Sequence, residues 1–596
     1  MQTIDKNSIE YLNALRHSCA HVMAQAVQEL YPGTKITIGP AIADGFYYDF
    51  DSEHKFTDED LPKIEKRMLE IAEGNHDFSG QEVSKEESRD YWQKRNEPFK
   101  IEILEELTGK ITHYTHDTFT DLCRGGHLDN TREIRYFKLM SVAGAYWRGD
   151  ETKPMLQRLY GTAWPDKKQL KGYLQRLEEA KKRDHRKLGT ELDLFSIHEK
   201  VGAGLVHWHP KGAVLRYQIE CYLRNLLEKG GYQFVITPHI ASEEIYKTSG
   251  HLDNYSEMMY GAMDIEGNPF RAKPMNCPNH IMIFKSRLHS YRDLPIRFAE
   301  FGTVYRFEKS GVLHGLLRVR GLTQDDAHVF CRVDQIESEI SALLGLAKRV
   351  YEDFGFKELQ VYLSTEPPKS AGEPGLWAQA EKMLHSALKE QKISYEIDEG
   401  GGAFYGPKID LKVKDAIGRE WQVATIQLDF TLPRKFGVKM RTSDGGEDYV
   451  VMIHRAIIGT FERFIGVLIE HYAGRFPLWL APVQIKVLTV NSEQDEAAAD
   501  LVDRLKSAGF RVELDARVEK LGKKIREATV EKTPYLIVLG AKDIAAGTLS
   551  IRCMRPKEEG GLEPLQISGV REDDLVARLK AEINDKKMES VFACGE

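Results

Sequence analysis

Two histidines, His17 and His21, stand four residues apart in the small, apolar run HSCAHVMAQA, and Cys123 and His127 repeat that spacing in DLCRGGH. Four residues is just over one helical turn, so two imidazoles placed this way on a helix share a face and can converge on one substrate or one ion. By itself such a pair fits a metal site, an acid and base couple, or two polar residues on a helix. Together the two pairs supply four nitrogen and sulfur donors, the number and kind that tetrahedral zinc takes. Without a metal, the same groups can line a hydrolytic pocket that positions and activates water, with Asp121 and Lys100 near enough along the chain to assist. Two matched spacings weaken the reading in which the pairs are unrelated.

Arg306 in TVYRFEKSG and Arg463 in FERF offer planar guanidinium forks, which suit phosphate oxygens because they donate paired hydrogen bonds. Ordinary surface charge is the plainer account of any single arginine. DEGGGAFYGPKID has the glycines of a phosphate loop but not its GK[ST] ending, and it lies between strand-like runs, so it predicts a flexible hairpin carrying Lys408. No Walker or Rossmann fingerprint occurs. Cys277 in KPMNCPNH, His328 in GLTQDDAHVF and His454 in VMIHRAIIGTFERF sit on distant segments without the local spacing of a zinc finger or ribbon. Read from the residues alone, they are packing or hydrogen-bonding groups.

The elements that must hold these side chains follow from periodicity. Residues 9 to 30 read as a helix, and TKITIGPAIADGFYYDFD alternates as paired strands about a turn. A charged helical stretch runs from Asp58 to Glu73. PDKKQLKGYLQRLEEAKKRDHRKLG is almost wholly charged with leucines at helical spacing, an exposed connecting helix that puts a domain boundary near residue 185. Beyond it, GAVLRYQIECYLRNLLEKGGYQFVITPHI gives a helix, a Gly-Gly stop and a β-rich run to Pro238, and LPIRFAEFGTVYRFE and EWQVATIQLDF add strands of a largely antiparallel sheet. The last hundred or so residues alternate strand and helix, which predicts a small parallel α/β domain. The chain is thus a multidomain α+β protein.

At 596 residues it is too long for one core, and 42% hydrophobic with 29% charged residues is ordinary globular composition. A net charge of −8 excludes a uniformly basic coat but leaves local basic grooves for a polyanion. Seven scattered cysteines do not make a disulfide framework. With no signal-like N-terminus and no run long enough to span a membrane, the expectation is a cytoplasmic protein with no membrane partner.

The order of HSCAHVMAQA, GFYYDFD, DLCRGGH, KPMNCPNH, YRFE, RVRGLTQDDAH, AFYGPKID, TIQLDF and HRAIIGTFERF resembles the bacterial threonyl-tRNA synthetases over nearly the whole chain. The resemblance implies an α+β editing domain with its connecting helix at 1–185, a class II synthetase catalytic core built on an antiparallel sheet at 186–480, and a C-terminal α/β anticodon-binding domain at 481–596. It implies ATP-dependent activation of L-threonine and its transfer to tRNA(Thr) by a homodimer, with hydrolysis of mischarged seryl-tRNA(Thr). Arg306, Lys408 and Arg463 would be catalytic, and Arg306, Glu308, Arg318 and Arg463 would bind ATP with its Mg2+. Gln324, Asp326, Tyr405 and Gln427 would bind substrate, and Cys277, His328 and His454 would hold one Zn2+ per subunit. His17, His21, Tyr48, Lys100, Asp121, Cys123 and His127 would form the editing pocket, and Arg526, Asp543 and Arg552 would meet the anticodon.

Two sieves make physical sense. A site that ligates the threonine hydroxyl rejects valine, which lacks it, whereas serine lacks only a methyl worth about 1–3 kcal/mol. Serine therefore needs a hydrolytic second pass. Three departures from the family pattern stand out: the usual small N-terminal domain has no counterpart in this sequence, Asn279 replaces a usual glycine, and Val518 replaces an expected polar residue. A hydrolase acting only on mischarged tRNA would need just the first 185 residues, and an inactive paralogue would lack one of Arg306, Arg463 or the three metal ligands.

Overall fold

The computed structural model describes residues 5–371, 374–557 and 561–593. Contact density divides the chain into two compact units, Met1–Glu178 and Glu179–Glu596, and the division falls inside the charged helix Lys167–Arg183, none of whose residues is buried.

In the first unit the expected helix runs from Ile9 to Leu30, opened by Ser8, whose hydroxyl accepts the Tyr11 N–H at 3.2 Å. Every residue from Ser18 to Val27 is buried, because its small side chains let neighbours approach from all sides. Helix Leu61–Glu73 packs against it, as does an antiparallel sheet containing Gly45–Asp51, Met155–Trp164 and Tyr136–Tyr146. A second, three-stranded sheet is formed by Ser79–Val83, Ile111–His116 and Phe119–Leu122. Its last hairpin turns tightly through Asp117, held at φ 45°, and delivers the chain to Cys123.

The second unit is built on an eight-stranded sheet in the order Gln233–Phe234, Ile296–Tyr305, Gly321–Cys331, Val451–Thr460, Glu420–Asp429, Lys408–Lys414, Leu359–Ser364, Glu396–Asp398. The pairings are antiparallel except at the two edges. Helices Pro210–Lys229, Ile336–Asp353 and Phe461–His471 contribute to the core beside it. The β-rich run expected up to Pro238 shrinks to the two-residue strand Gln233–Phe234. DEGGGAFYGPKID is not a hairpin: Glu396–Asp398 and Lys408–Lys414 flank Leu359–Ser364 on opposite edges. The connecting loop therefore crosses the end of a strand, and its glycines permit close backbone approach. A Cβ on Gly406 would lie 2.0 Å from the Leu428 carbonyl oxygen, and one on Gly402 2.5 Å from that of Thr365.

The C-terminal sheet runs Val512–Asp515, Ile485–Thr489, Tyr535–Leu539, Leu549–Pro556, Leu562–Val570, and only the first three strands are parallel. The three strands marked by the sequence alternation, Ile485–Thr489, Val512–Asp515 and Tyr535–Leu539, are the parallel ones; after Leu539 the helix Ala541–Ala546 is too short for a crossover and ends at Gly547 in the left-handed region, so two antiparallel strands follow. Among the described residues no helix is long and apolar enough to cross a membrane.

Candidate functional site

A cavity of about 520 Å³ in the second unit is lined by residues of the middle strands of the eight-stranded sheet. Strand pairing explains how remote residues meet there. His328 lies opposite His454, His454 opposite Gln427, and Gln427 opposite Lys408, so four strands place these side chains in one transverse row. Along Gly321–Cys331, Gln324, Asp326 and His328 alternate toward the cavity while Asp325, Ala327 and Val329 are buried, following the two-residue period of a strand. Cys277 begins the helix Cys277–Lys285 and joins the row from outside the sheet.

The ring nitrogens of the two histidines carry the decisive geometry. His454 engages Asp429 Oδ2 through Nε2 at 2.9 Å, and His328 engages His280 through Nδ1 at 2.8 Å. The nitrogens left over, His328 Nε2 and His454 Nδ1, face each other at 3.0 Å. Two lone pairs this close repel unless a positive charge lies between them. The Cys277 sulfur completes a trio whose donor atoms all lie within 4.8 Å. Burial holds His328 well below the usual imidazole range, so its lone pair is free, and burial followed by the charge of Asp326 pushes the Cys277 thiol up. This donor set, one sulfur and two imidazole nitrogens, fits a borderline-soft divalent cation. Beside it, Asp326 accepts the Asn276 amide at 2.9 Å, and the ring of Tyr405 lies 5.0 Å from that of His454.

The other end of the cavity is cationic. Arg306 and Arg318 stand on the connection between the paired strands Ile296–Tyr305 and Gly321–Cys331, and Arg463 stands on the helix Phe461–His471, whose cap Thr460 accepts the Arg463 N–H. Arg463 donates from Nε to the Leu317 carbonyl at 3.1 Å and Arg318 to Glu308 Oε2 at 2.9 Å. Burial lowers the Arg463 pKa, and the charges of Arg318 and Arg306 lower it further. Like charges held together in a half-buried cleft make an anion site. Lys408 is held by Asp410 at 2.6 Å, and Gln427 donates to the Gly406 carbonyl at 3.1 Å.

In the first unit, the helix Ile9–Leu30 presents His17 and His21 toward Cys123 and His127. The His127 ring stacks on His17 at 4.1 Å and lies 4.3 Å from His21. His127 accepts or donates at both nitrogens, to Ser18 Oγ and Cys123 Sγ, each at 3.2 Å. Consecutive glycines at positive φ, Gly125 and Gly126, fold the loop back so that His127 returns over Cys123. Behind the rings lies a charged group: Asp121 pairs with Lys100, accepts the Tyr48 hydroxyl at 2.6 Å and lies 3.4 Å from His21. Burial lowers both His17 and His21, and burial pushes Cys123 up to about 12 and, with the charge of His17, His127 down to about 2. The pocket therefore offers uncharged imidazoles beside one buried ion pair.

A pH dependence follows. His116, whose ring nitrogens have no hydrogen-bond partner, is lowered by burial to about 4. Unfolded histidines near 6.5 bind protons that the folded unit refuses, so stability is complete above about pH 6.5 and declines with acid down to about pH 4, by about 1.4 kcal/mol per pH unit for each such histidine. Hydrogen exchange of the Ile9–Leu30 amides in the full chain is expected to follow that slope. His116→Phe should remove one histidine's share of it.

Family models match three stretches: the threonyl and alanyl tRNA synthetase second additional domain at residues 111–160, the tRNA synthetase class II core domain (G, H, P, S and T) at 260–472, and an anticodon binding domain at 484–582. A threonine-tRNA ligase of Nitrosococcus oceani is 50% identical over 561 residues, 94% of this chain and 87% of its own length. The chain belongs to the threonine-tRNA ligase family. Another member of that family, from Oleidesulfovibrio alaskensis, is 53% identical over 95% of this chain and 87% of its own. The crystal structure of the RNA binding domain of a Cryptosporidium parvum threonyl-tRNA synthetase superposes with a TM-score of 0.63 at 38% identity, covering 68% of this chain and 98% of that one.

Several side chains of this ligase that bear on the site were not singled out by the sequence reading. Asn276 and His280 lie within KPMNCPNH and Asp429 within TIQLDF, motifs that marked the family without revealing these contacts to the cavity residues, and the buried His251, outside any motif, lies against Met275 at 2.9 Å. In the C-terminal domain Arg526 is exposed on the helix Leu521–Val530, and Arg552 reaches Gln566 at 2.9 Å. Asp543 is engaged locally: it accepts the Gly540 N–H at 3.1 Å and the Ser550 hydroxyl at 2.8 Å. Val518 is 97% exposed, and the Asn279 amide nitrogen is buried without a partner.

Proposed function

We propose that this chain activates L-threonine with ATP in the 520 Å³ cavity and esterifies it to tRNA(Thr). The observation that carries the reading is the juxtaposition, in one cavity, of the Cys277, His328 and His454 donors with Arg306, Arg318 and Arg463. Arg306, Arg318 and Arg463 bind the nucleotide, which enters as its Mg2+ complex, and Glu308 orients Arg318. As the threonine carboxylate attacks the α-phosphorus, the bond to the β-phosphate breaks and pyrophosphate leaves, Arg306 and Arg463 stabilise the charge growing on the α-phosphate oxygens, and Lys408 adds a further positive charge. Cys277, His328 and His454 would hold one Zn2+, which would supply Lewis-acid chemistry to the amino-acid substrate. Asp326, Gln324, Tyr405 and Gln427 enclose and orient the amino acid. Exchange of pyrophosphate into ATP, measured with threonine, serine and valine on protein of known metal content, tests this: stimulation by threonine and rejection of valine are expected, and equal response to valine would refute it. Arg463→Ala should slow threonine-dependent exchange by about 10²–10³-fold, and an unchanged rate would remove Arg463 from the chemistry.

The pocket of His17, His21, Cys123 and His127 is the editing site for seryl-tRNA(Thr). Its imidazoles orient an attacking water, and His17, less strongly lowered than His21 or His127, takes the proton, while Lys100, held by Asp121 and Tyr48, supplies fixed positive charge near the ester. The domains of this reading are editing at 1–185, catalytic at 186–480 and anticodon-binding at 481–596, with Arg526 and Arg552 facing RNA and Asp543 shaping the loop beside them. A homodimer is supported by exposed apolar side chains at Tyr217, Ile236 and Ile240, which are 60%, 93% and 46% accessible. The six described cysteines are unpaired, in keeping with the reducing cytoplasm.

A further inference from the structure

His280 and Glu300 belong to no part of the chemistry above, yet both are buried, with 0% and 5% of their surface accessible, and they connect directly to a metal-binding residue. Glu300 Oε2 lies 3.1 Å from His280 Nε2, and His280 Nδ1 lies 2.8 Å from His328 Nδ1. The carboxylate can only accept, so His280 carries its proton on Nε2 and leaves Nδ1 as an acceptor. His328 must then carry its proton on Nδ1, which leaves Nε2 unprotonated, the nitrogen that faces His454 Nδ1. Each step has one direction, fixed by the group before it.

The carboxylate at the head of this chain is itself held in place. Glu300 accepts the Thr237 N–H at 2.8 Å and its hydroxyl at 2.9 Å, and the fully buried Lys273 ammonium lies 3.5 Å away while donating to Thr237 Oγ1 at 2.8 Å. An unpaired carboxylate would be costly here, and these donors keep Glu300 ionised and fixed. Asp429 performs the corresponding service for His454 in a single step, at 2.9 Å. Four elements thus cooperate to set one ring: the segment carrying Thr237, the strand Ile296–Tyr305, the helix Cys277–Lys285 and the strand Gly321–Cys331.

We propose that Glu300 and His280 form a tautomer-setting relay that pre-organises His328 for metal binding, making both of them positioning residues for the synthetic site. The inference rests on the metal reading of Cys277, His328 and His454. Outer-shell partners of ligating histidines typically govern metal affinity by about 10–100-fold. In His280→Leu the relay loses its acceptor, and the His328 tautomer is no longer imposed. In His280→Gln a side-chain carbonyl can still accept from His328 and the amide can still donate to Glu300.

The test is zinc affinity of the full chain, measured by chelator competition, together with the visible spectrum of the Co2+-loaded protein. Wild type should bind one equivalent, His280→Leu should bind about 10–100-fold more weakly with an altered Co2+ spectrum, and His280→Gln should recover most of the affinity. Wild type that binds no zinc would overturn the metal reading itself. Wild type that binds, with His280→Leu folded and binding equally well, would overturn the relay alone. Should His280→Leu not accumulate as folded protein, Glu300→Gln, which preserves shape and removes the charge, takes the same measurement, and unchanged affinity there overturns the relay.

Discussion

Cys277→Ala is expected to abolish threonine-dependent pyrophosphate exchange, by a factor on the order of 10⁴, while hydrolysis of seryl-tRNA by the same protein continues. The magnitude follows from what the site would lose. A pocket built to ligate a hydroxyl separates a substrate that has it from one that lacks it by roughly 10⁴–10⁵, and it does so because its own polar groups are unsatisfied otherwise. With the thiol gone, His328 Nε2 and His454 Nδ1 still face each other at 3.0 Å, but two imidazoles alone hold a cation weakly. Metal content should fall in parallel with exchange. Full exchange activity in a metal-free Cys277→Ala protein would be incompatible with the proposed role.

The second large effect lies in the first unit. His17→Ala combined with Cys123→Ala removes one ring and the thiol that engages His127 at 3.2 Å, and seryl-tRNA hydrolysis is expected to slow by about 10²–10⁴-fold, the usual range for losing a general acid or base. Threonine charging should be retained, because none of the cavity residues in the second unit is altered. The observable is accumulation of seryl-tRNA(Thr) when serine and ATP are supplied. The effect on fidelity is bounded from the other side: one missing methyl separates serine from threonine by only about 10–200-fold at the first step. If the double variant clears seryl-tRNA at the normal rate, the pocket has another purpose.

The folding of these sites was legible in the sequence to unequal degrees. The helix Ile9–Leu30 and its cap at Ser8 are local matters, governed by periodicity and one hydroxyl, and they could be read directly. The matched four-residue spacings pointed to a pocket, although only the structure reveals that Gly125 and Gly126 close the second pair by backbone reversal rather than by a helical turn. The Cys277, His328 and His454 trio left no trace in spacing, because strand pairing and not chain proximity unites it. Family resemblance supplied what periodicity could not. The stretch before Lys408 reads as a hairpin in the sequence because two flanking strand-like runs look alike whether they pair with each other or with a third strand between them; here the second run, beginning at Lys408, pairs with the strand Leu359–Ser364 instead. The parallel part of the C-terminal domain was legible in the alternation of strand and helix up to Leu539, whereas the two antiparallel strands beyond the six-residue helix Ala541–Ala546 were not marked in it.

The transverse row that carries His328, His454, Gln427 and Lys408 also limits how such an enzyme can change over evolutionary time. Because neighbouring positions on a strand point to opposite faces, inserting or deleting a single codon within the regularly paired stretch between Met452 and His454 would rotate His454 out of the cavity and bury its neighbour there instead. Length variation is thereby confined to the loops and to the irregular parts of the strands, such as the register shift between Ala456 and Thr460, whereas in the paired row itself selection can act only by exchanging one side chain for another.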